Sequence, residues 1–70
     1  MKSSDILAWN LLRHRYDNNL SQAELAWRIG MDVKRYAEIE HAQAHTTLLT
    51  LDKLSHATGI PVPELLTPQP

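Results

Sequence analysis

The chain has 70 residues, of which 43% are hydrophobic and 21% charged, and its formal net charge is −1 at pH 7. This composition is typical of one small globular domain and excludes a disordered chain, and so short a domain rarely encloses an enzyme's cleft. The sequence has no cysteine, no apolar run that could span a membrane and no signal-peptide pattern. We therefore expect a cytoplasmic, non-enzymatic protein.

The net charge is unevenly distributed along the chain. Residues 1–35 contain six Lys and Arg against four Asp and Glu, whereas residues 36–70 contain one against four. The first half therefore carries +2 and the second half −3. Because nucleic-acid binders present a basic face, the first half is the candidate for such a surface.

The pattern of apolar residues and capping signals predicts helices throughout and no strand. A first helix begins at Ser3 or Ser4, has Leu7 and Leu11 on its inner face, and ends at residues 17–19, where asparagine tolerates the left-handed conformation.

The second helix has the clearest start signal in the chain. Ser21 and Glu24 form a capping box, in which the side chain of each residue accepts the backbone N–H of the other. Leu20 before the cap is expected to pack on Leu25, and Gly30 supplies the turn that ends the helix.

A third helix follows after only a three-residue turn. It runs from the N-cap Asp32 to about His41, with Tyr36 and Ile39 on its inner face. Two helices joined by a short turn that contains glycine form a helix-turn-helix, here at about residues 21–41.

Two further helices are predicted in the second half of the chain. The fourth is capped by Thr46 or Thr47 and ends at Gly59, the fifth covers residues 63–66, and residues 67–70 form a flexible tail. The predicted inner face of the fourth helix consists of Leu48, Leu51, Leu54 and Ala57.

The segments 20–26, 29–30 and 39–40 resemble the Cro/phage-repressor class of helix-turn-helix domains, the xenobiotic-response-element-like family. The resemblance continues through the apolar positions of the last two helices and covers residues 7–66. It implies an all-α, compact five-helix lambda-repressor-like fold over residues 1–66 and a DNA-binding function.

The resemblance also implies which residues contact DNA. Ser21 and Gln22 lie at the start of the second helix, where the helix dipole favours a phosphate. Arg15 is implied to pair with Glu40 and is a further candidate for a phosphate contact. The third helix enters the major groove, and its candidate base-contacting residues are Val33, Lys34, Arg35 and Glu38.

Each of these residues also has a plainer interpretation. Val33 could be a half-buried packing residue, Gln22 an exposed helix start, and Lys34 and Arg35 part of a solvated face. The chain also departs from the family in carrying Asp32 and Glu38 on the third helix, Ala42 in place of a common glycine, and a loop without Lys or Arg after it. These departures predict weaker phosphate contacts.

No metal or cofactor site is predicted. His41 and His45 have the i, i+4 spacing of metal ligands, but the helix is expected to end between them, and no cysteine supplies further ligands.

Two sets of apolar residues are candidates for contact with another protein. Trp9 and Trp27 lie off the predicted inner faces, either as half-covered boundary residues or as an exposed partner surface. The C-terminal segment is more apolar than packing against the fourth helix requires. It is therefore the first candidate for a dimer surface, formed by Ile60, Val62, Leu65 and Leu66.

The predicted function is that of a sequence-specific transcriptional regulator, bacterial or phage-encoded, that represses as a homodimer on a palindromic stretch of double-stranded DNA. Three roles fit: a phage repressor or Cro-like switch, a restriction–modification controller, and an antitoxin autorepressor. The alternative is a protein–protein adaptor or antitoxin that keeps the helical fold with little or no DNA binding.

Overall fold

Five α-helices account for the regular structure of residues 2–69, the part of the chain that the computed structural model describes. No strand occurs in this range, so the predicted all-α, five-helix architecture is confirmed. None of these helices is long and apolar enough to cross a membrane. In chain order the helices are α1 (Ser3–Asp17), α2 (Gln22–Ile29), α3 (Val33–Glu40), α4 (Leu48–Thr58) and α5 (Val62–Leu65).

Side-chain caps start three of the helices. At α2, the Ser21 hydroxyl accepts the Glu24 N–H at 3.0 Å and the Glu24 carboxylate accepts the Ser21 N–H at 3.0 Å. Asp32 caps α3 and Thr47 caps α4. In the short helices α2 and α3 a side chain therefore accepts one of the first-turn N–H groups that lack a partner within the helix, which stabilises an eight-residue helix whose isolated form is marginal.

Left-handed residues end α1, α2 and α3 in the same way. Asn19, Gly30 and Ala42 have φ angles of 54°, 86° and 58°. Beyond each of them a backbone N–H returns to a carbonyl five residues earlier, which is the Schellman motif. These bonds run from Leu20 to Arg15, from Met31 to Ala26 and from Gln43 to Glu38. The repeated motif reverses the chain within a few residues and makes the connections between the first three helices short.

Ala42 is expected to limit stability, because the left-handed region costs an ordinary L-residue about 1–2 kcal/mol. Ala42→Gly should raise the free energy of unfolding by about 0.5–1 kcal/mol, since glycine removes this strain but gains freedom in the unfolded chain. Urea denaturation measures the change. The control Ala23→Gly, at an exposed helical position of α2, should lower stability. An Ala42→Gly variant that is no more stable than wild type would contradict the assignment of backbone strain to Ala42.

The core takes apolar side chains from every helix. α3 packs against α1 and α2, α4 packs against α2, and α5 joins α1 to α4. Leu20 and Leu25 are both buried in this core, so the predicted contact across the start of α2 has its two partners in place. The buried cluster comprises Leu7, Leu11, Leu20, Leu25, Ala26, Ile29, Tyr36, Ile39, Leu51, Leu54 and Leu65.

The predicted inner face of α4 is wrong at Leu48, whose side chain is 78% exposed. Positions three residues apart rotate by about 60° short of a full turn, so Leu48 lies about 120° from Leu54 around the helix. Leu51 and Leu54 are buried, while Leu48 follows the cap Thr47 directly and projects into solvent.

Leu65 also differs from the prediction. The fifth helix is Val62–Leu65 rather than residues 63–66, and Leu65 is fully buried in the core instead of lying on a dimer surface. The cause is that α5 packs between α1 and α4, and this one-turn helix directs Leu65 inward.

A buried asparagine holds the C-terminal segment against α1. The Asn10 side-chain amide donates to the carbonyls of Leu65 at 2.8 Å and Thr67 at 3.0 Å. Gln69 in turn donates to the Thr67 carbonyl at 3.1 Å. Thr67 and Gln69 of the predicted tail are thus hydrogen-bonded, and Pro70 lies outside the described residues. The domain boundary at residue 66 stays a prediction.

Candidate nucleic-acid interface

The exposed side of α3 is an apolar and cationic face. Lys34 and Arg35 are exposed, and no salt bridge within residues 2–69 neutralises either of them. Val33 beside them is 44% exposed. Tyr36 and Ile39 on the opposite side are buried, so the orientation of the helix is fixed by the core.

The acidic N-cap of α3, Asp32, and the acidic residue Glu38 within the helix lie in different environments. The Asp32 carboxylate accepts the Lys34 backbone N–H at 3.1 Å, so it serves as the N-cap, where the helix dipole stabilises a negative charge. Glu38 is half-buried. The acid at the start of α3 is therefore a structural cap, and its charge is partly offset by the helix that it begins.

A buried ion pair joins α1 to the end of α3. Arg15 Nη2 lies 2.7 Å from Glu40 Oε1 and Arg15 Nε lies 3.1 Å from Glu40 Oε2, which makes the contact bidentate. The two side chains are only 13% and 3% exposed. Arg15 Nη1 also donates to the Leu20 carbonyl at 3.2 Å, and the guanidinium lies 4.9 Å from the centroid of the Tyr16 ring. Arg15 thus joins α1, α3 and the loop before α2.

The pKa values of this cluster favour its charged form. Burial would raise the pKa of Glu40, but hydrogen bonds, first among them those from Arg15, outweigh burial and lower it. The hydrogen bond with Glu40 raises the pKa of Arg15. Burial and the Glu40 carboxylate raise the pKa of the neighbouring Tyr36, which stays neutral. The pair is therefore fully ionised at neutral pH.

Gln22 is bound to the same carboxylate, since its Nε2 donates to Glu40 Oε1 at 3.2 Å. The family resemblance implied a phosphate contact for Gln22 and an ion pair for Glu40, and it gave no sign of the bond between them. The two residues are 18 positions apart, and no local pattern joins them. Ser21, beside Gln22, is exposed and occupied as the cap of α2.

The remaining candidates are the two histidines considered as metal ligands and the apolar residues considered as partner surfaces. His41 and His45 are exposed, and no group of three or more potential metal ligands occurs among residues 2–69. Trp9 and Trp27 are 54% and 83% exposed. A groove of about 470 Å³ runs beside Trp9 and is lined by Trp9, Leu12, Arg13, Tyr16, Asp17 and Gln69. Ile60, Val62 and Leu66 are half-buried against the core.

The sequence of residues 13–65 matches the family model described as helix-turn-helix. The chain belongs to the helix-turn-helix family. This helix-turn-helix protein is 39% identical over 69 residues to Control protein C.SmaI of Serratia marcescens, and the match covers 99% of this chain and 82% of the relative.

A solved structure has the same fold as this helix-turn-helix protein. It is the crystal structure of the hypothetical transcription factor NHTF from Neisseria, with a TM-score of 0.90 and 28% sequence identity over 96% of this chain and 77% of that chain. The family, the control-protein relative and this fold together identify the helix-turn-helix protein as a DNA-binding transcriptional regulator. The predicted family and general function are confirmed.

Proposed function

We propose that this regulator binds a palindromic operator as a homodimer and represses transcription of a restriction–modification system. The observation that carries the proposal is the 39% identity to a control protein along 99% of the chain. Of the three roles that the sequence allows, this similarity favours the restriction–modification controller. Repression would follow from occupation of promoter DNA by the two copies.

The face of α3 supplies the chemistry for reading bases. Lys34 and Arg35 donate to guanine O6 and N7, Val33 packs on a thymine methyl group, and Glu38 accepts from a cytosine amino group. Their support is the exposure of Val33, Lys34 and Arg35 on one side of a helix whose other side is buried. Ser21, Gln22 and Arg15 flank this face as candidates for phosphate contact.

The size of the domain supports the proposed dimer. The principal extents are 26 × 24 × 19 Å, whereas the half-sites of a palindromic operator lie about 34 Å apart. One copy therefore reads one half-site, and a second copy is needed for the other. The half-buried residues Ile60, Val62 and Leu66 remain the proposed dimer surface, without Leu65.

Selection of bound sequences from a random pool of DNA duplexes tests the proposal. We expect an inverted repeat whose half-site centres are about 10 base pairs apart. Affinity for the selected site should fall as salt rises, because each phosphate that Lys or Arg neutralises releases condensed counterions. The site should occur upstream of restriction–modification genes in the source genome. Failure to enrich any sequence, or an enriched site without symmetry, would contradict the proposal.

The second candidate is a protein–protein adaptor, favoured by the exposure of Trp9 and Trp27. Exposed aromatic side chains are enriched at the centres of protein interfaces. Duplex binding measured over a range of salt concentrations separates the two functions, since a pure adaptor shows no duplex binding at any of them. A regulator that also uses Trp9 or Trp27 for a partner binds duplex DNA in the ordinary way.

A further inference from the structure

The Glu40 carboxylate accepts hydrogen bonds from two side chains, Arg15 and Gln22. Its Oε1 accepts from Arg15 Nη2 at 2.7 Å and from Gln22 Nε2 at 3.2 Å, and its Oε2 accepts from Arg15 Nε at 3.1 Å. Arg15 belongs to α1, Gln22 is the first residue of α2, and Glu40 is the last residue of α3. One buried carboxylate thus fixes side chains from two other helices, and one of these side chains is a proposed phosphate ligand.

A carboxylate oriented in this way determines which end of the Gln22 amide faces it. An ionised carboxylate only accepts hydrogen bonds, so the Nε2 end of the amide must point toward Glu40. The amide nitrogen has two hydrogens, and the bond to Glu40 uses one of them. The second hydrogen is left for a phosphate, which is likewise only an acceptor.

We infer that Glu40 is a positioning residue for DNA binding, which holds the Gln22 amide so that its second N–H donates to a backbone phosphate. The inference rests on the proposed function, because it takes Gln22 as part of the DNA-binding face. A free glutamine could present its carbonyl oxygen to the phosphate and would lose rotamer freedom on binding. The bond to Glu40 removes both disadvantages before DNA arrives.

Arg15 makes this arrangement compatible with DNA. A lone carboxylate beside the phosphate backbone would repel it, but the bidentate Arg15 neutralises the charge of Glu40. Arg15 Nη1 also donates to the carbonyl of Leu20, directly before the cap residue of α2. The start of α2 and the amide of its first side chain are therefore placed by the same buried pair.

A double-mutant cycle with Glu40→Asp and Gln22→Ala tests the inference. The shorter aspartate keeps the negative charge near the long, adaptable Arg15. Its carboxylate lies too far from Gln22 to accept the hydrogen bond from Nε2. We expect Glu40→Asp to weaken operator binding by about three- to tenfold in the wild-type background. In the Gln22→Ala background the same change should have less than about a twofold effect, because the side chain that Glu40 positions is gone.

The salt dependence gives a second readout, because a structural disturbance that displaced a phosphate-bound Lys or Arg would reduce the slope of log affinity against log salt. Gln22→Ala and Glu40→Asp leave the net charge of the protein unchanged, so each single variant should lower the affinity without changing this slope. Affinities are measured on protein shown to be folded by circular dichroism. If Glu40→Asp weakens binding equally in both backgrounds, or reduces the slope, Glu40 acts only through the fold and the inference is wrong.

Nuclear magnetic resonance of the wild-type protein tests the geometry even if Glu40→Asp does not fold. One Nε2 proton of Gln22 should be shifted downfield relative to the side-chain amide of the exposed Gln43. Identical, averaged signals for the two glutamines would overturn the inference. Wild-type protein that binds no duplex would overturn the proposed function and the inference together, whereas binding with additive variants overturns the inference alone.

Discussion

Replacing Lys34 and Arg35 together with alanine is expected to weaken operator binding by at least about 30-fold. A side chain that reads a base contributes about 1–3 kcal/mol, and two contributions at the lower limit correspond to that factor. Both residues are exposed on α3 and no salt bridge in the described chain competes for them. The loss of affinity should therefore come with almost no change in stability.

Fluorescence anisotropy with the selected operator measures this effect, and the two single variants divide it between the residues. A residue that reads a base should lose its preference at one operator position, while a residue that contacts only phosphate should weaken all sequences equally. Lys53→Ala, at an exposed position of α4, also removes one positive charge and should change binding only slightly. Unchanged affinity in the double variant would refute the assignment of α3 as the recognition helix.

The largest expected loss of stability follows Arg15→Ala, at about 3 kcal/mol at neutral pH. This change leaves the Glu40 carboxylate buried without its cation, and breaking a buried pair costs about 3–5 kcal/mol because the remaining charge stays desolvated. We take the lower limit because Arg15 keeps some exposure to solvent. Urea denaturation measures the free energy of unfolding, and Arg28→Ala, at an exposed position of α2, should change it by less than about 0.5 kcal/mol.

The pH dependence identifies the cause of that loss. In the wild type the pKa of Glu40 is lowered from 4.5, so its stabilising contribution is present above pH 4.5 and declines as pH falls through the folded-state value. In Arg15→Ala, burial without the cation should raise the pKa of Glu40, and protonation then relieves the strain of the lone charge. The difference between variant and wild type should begin to shrink above pH 4.5, as pH falls through the raised pKa of Glu40 in the variant, and should shrink further below pH 4.5 as the wild type loses its own contribution. A difference that is independent of pH would indicate lost packing instead.

The helices could be predicted from the sequence because their signals are local. The capping box of Ser21 and Glu24, the cap Asp32 and the terminator Gly30 each depend on residues within one turn, and the structure contains all of them. Leu48 was mispredicted because a three-residue spacing drifts around the helix, and burial depends on where neighbouring helices lie. For Leu65, only the packing of α5 between α1 and α4 decides the direction of its side chain.

In the candidate site too, some features follow from local sequence signals and others depend on how the helices pack. The exposed cations of α3 follow from the helical period and the family resemblance, whereas the bond between Gln22 and Glu40 depends on how α2 and α3 cross. Asn10 is a similar case, since a polar residue amid apolar neighbours gives no indication of a partner more than 50 positions away. Such contacts are fixed by tertiary packing and leave no periodic trace in the sequence.

The amide of Asn10 has a consequence for the way the domain folds and unfolds. It joins the first helix to residues at the far end of the sequence, and α5 has only four residues. A single turn has almost no helical stability of its own, so α5 forms only once α1 is in place. Closing this contact requires a loop of nearly the whole domain, which makes it a late event in folding. We therefore expect α1 and α5 to open together in hydrogen exchange, as one cooperative unit.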